Sequence, residues 1–141
     1  MVESDASVAV AREWIAKAEN DLKTAEMALR AASECPTDTT CFHAQQCIEK
    51  YTKALLTVRG LAFAKTHNIR VLMEILPIES RPHLDRMWQD RLTDYATSAR
   101  YPGWDEIPLG EARKAVAVAK RVRREIRGLL PKAAKARKRT L

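Results

Sequence analysis

The spacing of the apolar residues constrains the fold of this chain more than any other feature. In five segments these residues recur with a period near 3.6, and no segment sustains the alternation typical of a half-buried strand. The segments span residues 7–32, 38–60, 66–77, 80–102 and 109–130. Short connections make consecutive helices antiparallel neighbours. The sequence therefore predicts an all-α fold, an up-and-down antiparallel bundle of four long helices with one short inserted helix.

The length of the chain indicates a single domain. A chain of 141 residues can bury a core of its own without disulfides. Pro131 ends the last periodic segment, and the residues after it carry no apolar stripe. We therefore expect a helical bundle over residues 1–131 and a basic, mobile tail over residues 132–141.

Several classes of protein are disfavoured by composition. No stretch approaches the roughly 18 apolar residues of a membrane span, and the acidic N-terminus is unlike a signal peptide. The spacing of Cys35, Cys41 and Cys47 suits neither a zinc site nor a disulfide framework. We expect a cytoplasmic protein with reduced thiols, no metal, no cofactor and no membrane partner.

The positive charge is concentrated at the end of the chain. Residues 1–110 hold 13 Lys/Arg and 16 Asp/Glu, whereas residues 111–141 hold 12 Lys/Arg and two Glu. Such a segment attracts polyanions, nucleic acid first and acidic protein or membrane surfaces second. A solvated helix face with a frayed basic end is the alternative.

One face of the second helix is unusually polar. In "CFHAQQCIEKYTKALL", His43, Gln46, Lys50 and Lys53 follow one another at spacings of three or four residues. They are candidates to meet a phosphate in a shared cleft. A purely structural role, with His43 as a cap and the lysine stems covering apolar neighbours, is equally open.

Two further groups of polar residues stand at helix ends. Lys65, Thr66 and His67 lie at the predicted start of the third helix, where backbone amides favour anions and Thr66 is the expected cap. Arg100 and Tyr101 follow the fourth helix, and a guanidinium beside rings suits phosphate contact and base stacking. The alternative for Arg100 is an ordinary contact with helix C-terminal carbonyls.

Four stretches in order resemble the HEPN domain, the "higher eukaryotes and prokaryotes nucleotide-binding" domain. They are "WIAKAENDLKTAEMAL", "FHAQQCIEKYTKALLTVRG", "KTHNIRVLMEIL" and "ARYPGW", and the resemblance covers about residues 10–130. It implies a helical bundle that usually forms a homodimer with a cleft between the copies. It also implies a nucleotide or RNA ligand and, in many members, a small nucleotidyltransferase partner in a toxin–antitoxin-type module.

Many HEPN proteins are metal-independent ribonucleases, in which an arginine and a histidine four to six residues further on act together. In that chemistry the imidazole takes the 2′-hydroxyl proton and the arginine stabilises the phosphate. This sequence departs from the motif, because Arg59 and His67 are too far apart and Arg81 and His83 are too close. A composite site of Arg100 and His67 would need the two residues to meet in space.

Three functions stay open on the sequence alone. The favoured one is binding of nucleotide or RNA together with a nucleotidyltransferase, the second is an endoribonuclease toxin, and the third is a non-catalytic dimerisation module. The candidate catalytic residues are His67, Arg100 and His43. The candidate binding residues are Gln46, Lys50, Lys53, Arg59, Lys65, Thr66, Arg100 and Tyr101.

Overall fold

The computed structural model describes residues 4–136 and consists of helices joined by turns, which confirms the predicted all-α bundle. The α-helices are α1 (Asp5–Leu29), α2 (Thr37–Val58), α3 (Ile69–Ile75), α4 (Arg86–Ala96), α5 (Leu109–Arg127) and α6 (Lys132–Lys135). Single 3₁₀ turns at Ala32–Glu34, Ile78–Ser80 and Ser98–Arg100 lie in the connections. Within residues 4–136, no helix combines the length and the apolar content needed to cross a membrane.

Helix α2 is the centre of the bundle. It packs against α1, α5, α4 and α3, and 15 of its 22 residues are buried. Tyr51, Ile48 and Leu55 on this helix are fully buried. A helix enclosed on several sides must bury its polar residues as well as its apolar ones, and each of those needs a partner. Of the polar stripe predicted on α2, Gln46 and Lys53 are buried, whereas His43 and Lys50 are partly exposed.

Two helix starts differ from the sequence prediction. Helix α4 begins at Arg86 rather than near residue 80, because the Asp85 side chain caps it by accepting from the Trp88 amide at 2.8 Å. The α3 cap is Asn68, whose side chain accepts from the Val71 amide at 3.1 Å, and not Thr66. Both observed caps are Asx residues whose own backbone is extended, as is usual at an N-cap.

The first residues of the expected mobile tail are folded. Residues 132–135 form the short helix α6, on which Ala134 is buried. Arg12 Nε donates to the Ala133 carbonyl at 2.6 Å, and Lys135 Nζ donates to the Arg127 carbonyl at 3.0 Å. These two contacts tie α6 to α1 and α5. Residues 137–141 of the expected tail lie outside the described residues.

Candidate functional site

A buried carboxylate of α1 contacts two residues of the polar face of α2. Asp21 is 8% exposed, and its two oxygens accept from different side chains. His43 Nδ1 donates to Oδ1 at 2.8 Å, and Lys50 Nζ donates to Oδ2 at 2.7 Å. Because Nδ1 donates, a neutral His43 ring keeps Nε2 as an acceptor. The lysine charge is balanced by Asp21, so Lys50 carries little uncompensated charge for a ligand.

A second buried carboxylate, Glu49, organises the rest of that face. Its oxygens accept from His67 Nδ1 at 2.8 Å, Lys53 Nζ at 2.9 Å, Gln45 Nε2 at 3.1 Å and Gln46 Nε2 at 3.3 Å. Glu49, Lys53 and Gln46 are all nearly inaccessible to solvent. This cluster therefore links α2 to the segment before α3 through His67.

The Lys53 ammonium has aromatic neighbours in addition to Glu49. It lies 5.3 Å from the Trp14 ring centroid and 5.8 Å from that of Phe63. Rings at this distance attract a cation through their quadrupole. Lys53 is paired with a buried carboxylate and faces two aromatic rings, so its role on the polar face of α2 is structural.

Arg100 lies in a different setting, on the surface next to the start of α2. Its guanidinium carbon is 4.4 Å from the centroid of the Phe42 ring, and the rings of Phe42 and His43 meet edge to face at 5.3 Å. Within residues 4–136, no carboxylate lies within 4.0 Å of Arg100, and the adjacent Tyr101 is 67% exposed. We call Phe42, His43, Arg100 and Tyr101 the Arg100 surface.

The start of α3 offers few open donors to an anion. The amide of Asn68 donates to Thr66 Oγ1, that of Ile69 to Thr93 Oγ1 and that of Val71 to the Asn68 side chain, each at 3.1 Å. Three of the amides that a phosphate would use are therefore already bonded. Lys65 is exposed beside them.

The comparisons with known proteins place the chain in a family. A model of the HEPN domain matches residues 11–129, which is most of the chain. The chain belongs to the HEPN domain family. This confirms the resemblance drawn from the four sequence stretches. No curated protein matches this HEPN chain.

Two solved structures share the HEPN fold of this chain. One is TT1696 from Thermus thermophilus, with a TM-score of 0.70 and 26% identity over 85% of this chain and 98% of that one. The other is ST0689, an archaeal HEPN homologue, with a TM-score of 0.63 and 25% identity over 84% of this chain and 96% of that one. Both structures are covered over almost their full length, and the matched region comprises 85% and 84% of this chain.

The candidate arginines and histidines of this HEPN chain have different neighbours, and His67 contacts Glu49 whereas Arg100 contacts Phe42. Within residues 4–136, no hydrogen bond or ion pair joins Arg100 to His67. Arg100 instead shares the Phe42 ring with His43. Arg59, the other candidate arginine, is half-buried and donates to Ser80 Oγ at 3.2 Å. The sequence did not indicate that Arg100 lies over the ring of Phe42, next to His43, because this contact depends on how the turn after α4 packs against the start of α2.

Two of the three cysteines of this HEPN domain, Cys41 and Cys47, are buried thiols. Burial raises the pKa of the Cys41 thiol to about 12, and burial also raises the pKa of Cys47. Neither thiol forms the thiolate that nucleophilic attack requires near neutral pH. In residues 4–136, no three His, Cys, Asp or Glu side chains converge as a metal site would need.

The sequence analysis did not identify the carboxylates Asp21 and Glu49 as partners of the polar face of α2. For Glu49 a signal was present, since it lies four residues before Lys53 and four after Gln45, among residues that are otherwise core-forming. For Asp21 no comparable signal existed. It reaches His43 only through the register in which α1 packs on α2.

Proposed function

We propose that this HEPN protein binds nucleotide or RNA at the Arg100 surface. The observation that carries the proposal is the state of Arg100: exposed, stacked on Phe42 and without a carboxylate partner in the part of the chain that the structure describes. Arg91 and Arg123, by contrast, are paired with Glu111 and Glu19. A stacked guanidinium has a fixed orientation and keeps its N–H fork for a phosphate.

The neighbours of Arg100 fit the same class of ligand. The exposed ring of Tyr101 is available for a base to stack on, which single-stranded nucleic acids use in a sequence-tolerant way. The partially exposed His43 can accept a hydrogen bond through Nε2. A phosphate, a sugar hydroxyl and a base therefore each have a suitable contact on this surface.

The same proposal includes the partners that accompany HEPN domains. HEPN domains often form dimers, and we propose a homodimer for this chain. We also propose that it acts with a small nucleotidyltransferase in a toxin–antitoxin-type module in the cytoplasm. Size-exclusion chromatography with light scattering tests the dimer, and a monomer at micromolar concentration would contradict it.

The binding proposal is tested by fluorescence anisotropy with labelled RNA and nucleotide. Arg100→Gln is expected to weaken binding about tenfold or more, because a hydrogen bond to a charged group contributes about 1.5–3 kcal/mol. Arg86→Gln is the matched control, since Arg86 is also exposed and is not one of the residues of the Arg100 surface. Equal affinity of the wild type and Arg100→Gln would refute this location of the site.

One observation favours a second function, a metal-independent endoribonuclease. The Asp21 carboxylate fixes the His43 ring, and both His43 and the Arg100 guanidinium contact the ring of Phe42. His43 Nε2 would take the proton of a 2′-hydroxyl, and Arg100 would stabilise the charge developing on the phosphate. Asp21 would orient the imidazole and stabilise its protonated form, as carboxylates do for other catalytic histidines.

RNA cleavage in EDTA separates this function from binding alone. If the protein is a ribonuclease, His43→Gln and Arg100→Gln lose cleavage by about a hundredfold or more. His83→Gln serves as the control, because His83 Nδ1 also meets a carboxylate, Glu125, at 2.6 Å but is 92% exposed. Intact RNA with the wild type would exclude the nuclease. Intact RNA without any binding would leave a dimerisation module.

A further inference from the structure

We infer that a groove between α1 and α5 binds the phosphate backbone of a single-stranded RNA. The groove has a volume of about 780 Å³ and shares no residue with the Arg100 surface. Its lining residues are Glu19, Asn20, Leu22, Lys23, Glu26, Arg30, Lys120, Arg123, Arg124 and Arg127. The inference rests on the proposed function and narrows its ligand from nucleotide or RNA to a polymer that reaches both surfaces.

The cations of this α1–α5 groove outnumber its carboxylates. Glu19 accepts from Arg123 Nε at 2.7 Å and from Nη2 at 2.8 Å, while Glu26 lies 3.4 Å from Lys120 Nζ. These pairs balance two of the six cationic side chains. No carboxylate of residues 4–136 lies within 4.0 Å of the other four, which are Lys23, Arg30, Arg124 and Arg127.

The four uncompensated cations lie on both walls of the groove, two on each wall. Arg124 and Arg127 are three residues apart on α5. Lys23 on α1 and Arg30, the residue that caps the C-terminus of α1, are seven residues apart, which corresponds to about 10 Å along the helix. Arg127 is held in place, since its Nη1 donates to the hydroxyl of the buried Tyr51 at 3.2 Å. A chain of phosphates laid in the groove would meet positive charge on both walls.

The chemistry of the lining favours nucleic acid over an acidic protein. Leu22 is the apolar residue of the lining, and it is 7% exposed. Protein–protein interfaces bury an apolar core, whereas interfaces with nucleic acid are polar and strongly positive. Three of the four uncompensated cations are arginines, whose planar fork matches phosphate geometry. We therefore assign the groove to an RNA backbone.

The test is the salt dependence of binding to a labelled single-stranded RNA of about 12 nucleotides. Each neutralised phosphate adds about 0.7 to the slope of log affinity against log salt, so four contacts predict at least about 50-fold weaker binding at about 200 mM than at about 50 mM. Arg30→Gln/Arg124→Gln removes two contacts. The affinity of this double variant is expected to fall only about sevenfold between these two salt concentrations, against about 50-fold for the wild type.

The control is Arg86→Gln/Arg113→Gln, which changes the net charge equally at two exposed arginines outside the groove. It is expected to keep the wild-type slope, and thermal unfolding of both double variants verifies that they fold. A groove variant with the wild-type slope would overturn the inference. Equal flattening in both double variants would overturn it too, because the effect would then be diffuse charge.

The outcomes also separate this inference from the proposed function. If Arg100→Gln weakens binding and the groove variant does not, the Arg100 surface stands and the groove assignment fails. The reverse pattern supports the groove and refutes the proposed site at Arg100. If the groove variant binds RNA normally but loses binding of polyglutamate, the occupant is an acidic protein and the inference is overturned.

Discussion

Glu49→Gln tests most directly whether the polar face of α2 stabilises the protein as an internal hydrogen-bond network. The change preserves the size of the side chain but replaces a carboxylate with a neutral amide. That carboxylate accepts hydrogen bonds from His67, Lys53, Gln45 and Gln46. It leaves the Lys53 ammonium buried without an anionic partner. Breaking a buried ion pair in this way costs about 3–5 kcal/mol of unfolding free energy.

The lower end of that range, about 3 kcal/mol, is expected for this protein. Trp14 and Phe63 still face the Lys53 ammonium after the substitution and retain part of its stabilisation. A loss of about 3 kcal/mol is a large fraction of the roughly 5–15 kcal/mol by which a domain is stable. It also lowers the melting temperature by about 10 °C.

Urea denaturation followed by circular dichroism measures this effect. The m-value should stay constant while the midpoint falls, because the surface exposed on unfolding hardly changes. Glu26→Gln is the matched control, since its pair with Lys120 spans 3.4 Å between side chains that are 36% and 53% exposed. That control should change stability by less than about 0.5 kcal/mol.

Adding Lys53→Met to Glu49→Gln should recover at least about 1 kcal/mol, because it removes the unpaired buried charge. The reasoning is refuted if Glu49→Gln stays within about 1 kcal/mol of the wild type. It is also refuted if the double variant is no more stable than the single one.

Three further predictions concern other parts of the bundle. Gly60→Ala should destabilise the protein by about 1 kcal/mol in urea, because Gly60 has φ +69°, whereas Gly110→Ala in α5 should stabilise it by about 0.5 kcal/mol. At pH 8 a disulfide reagent should modify the half-buried Cys35 quickly and Cys41 hardly at all, because burial raises the Cys41 pKa to about 12; equal rates would contradict this. Burial alone would raise the pKa of Glu19, but hydrogen bonds from an arginine and a tyrosine hold it below its ordinary 4.5. The stability that the wild type has over Glu19→Gln should therefore be constant above about pH 6. In an acid titration this difference should disappear as the pH falls through the pKa of Glu19 in the folded protein.

The sequence predicted the fold well because the signals for it are local. The apolar period places α1, α2 and α5 within a few residues of their ends, and Gly60 supplies the left-handed residue after α2. The start of α4 was placed too early because Ser80 and Pro82 also look like a cap and first turn. Asp85, three residues before Trp88, was the better signal.

The candidate site was less predictable because its contacts join distant parts of the chain. The period placed His43 and Lys50 on one face but could not show that both meet Asp21, 22 and 29 residues away. The contact of Arg100 with Phe42 likewise depends on how a turn packs on a helix. Such contacts require the register between helices, which a single sequence does not encode in any local pattern.

The claim that this HEPN protein binds nucleotide or RNA is tested most directly by an equilibrium titration of the wild-type protein. Labelled single-stranded RNA and a labelled nucleotide are titrated separately, in EDTA, at about 50 mM and about 200 mM salt. We predict saturable RNA binding with a Kd below about 100 μM that weakens steeply with salt. Absence of saturation with both ligands at the lower salt concentration would contradict the proposed function.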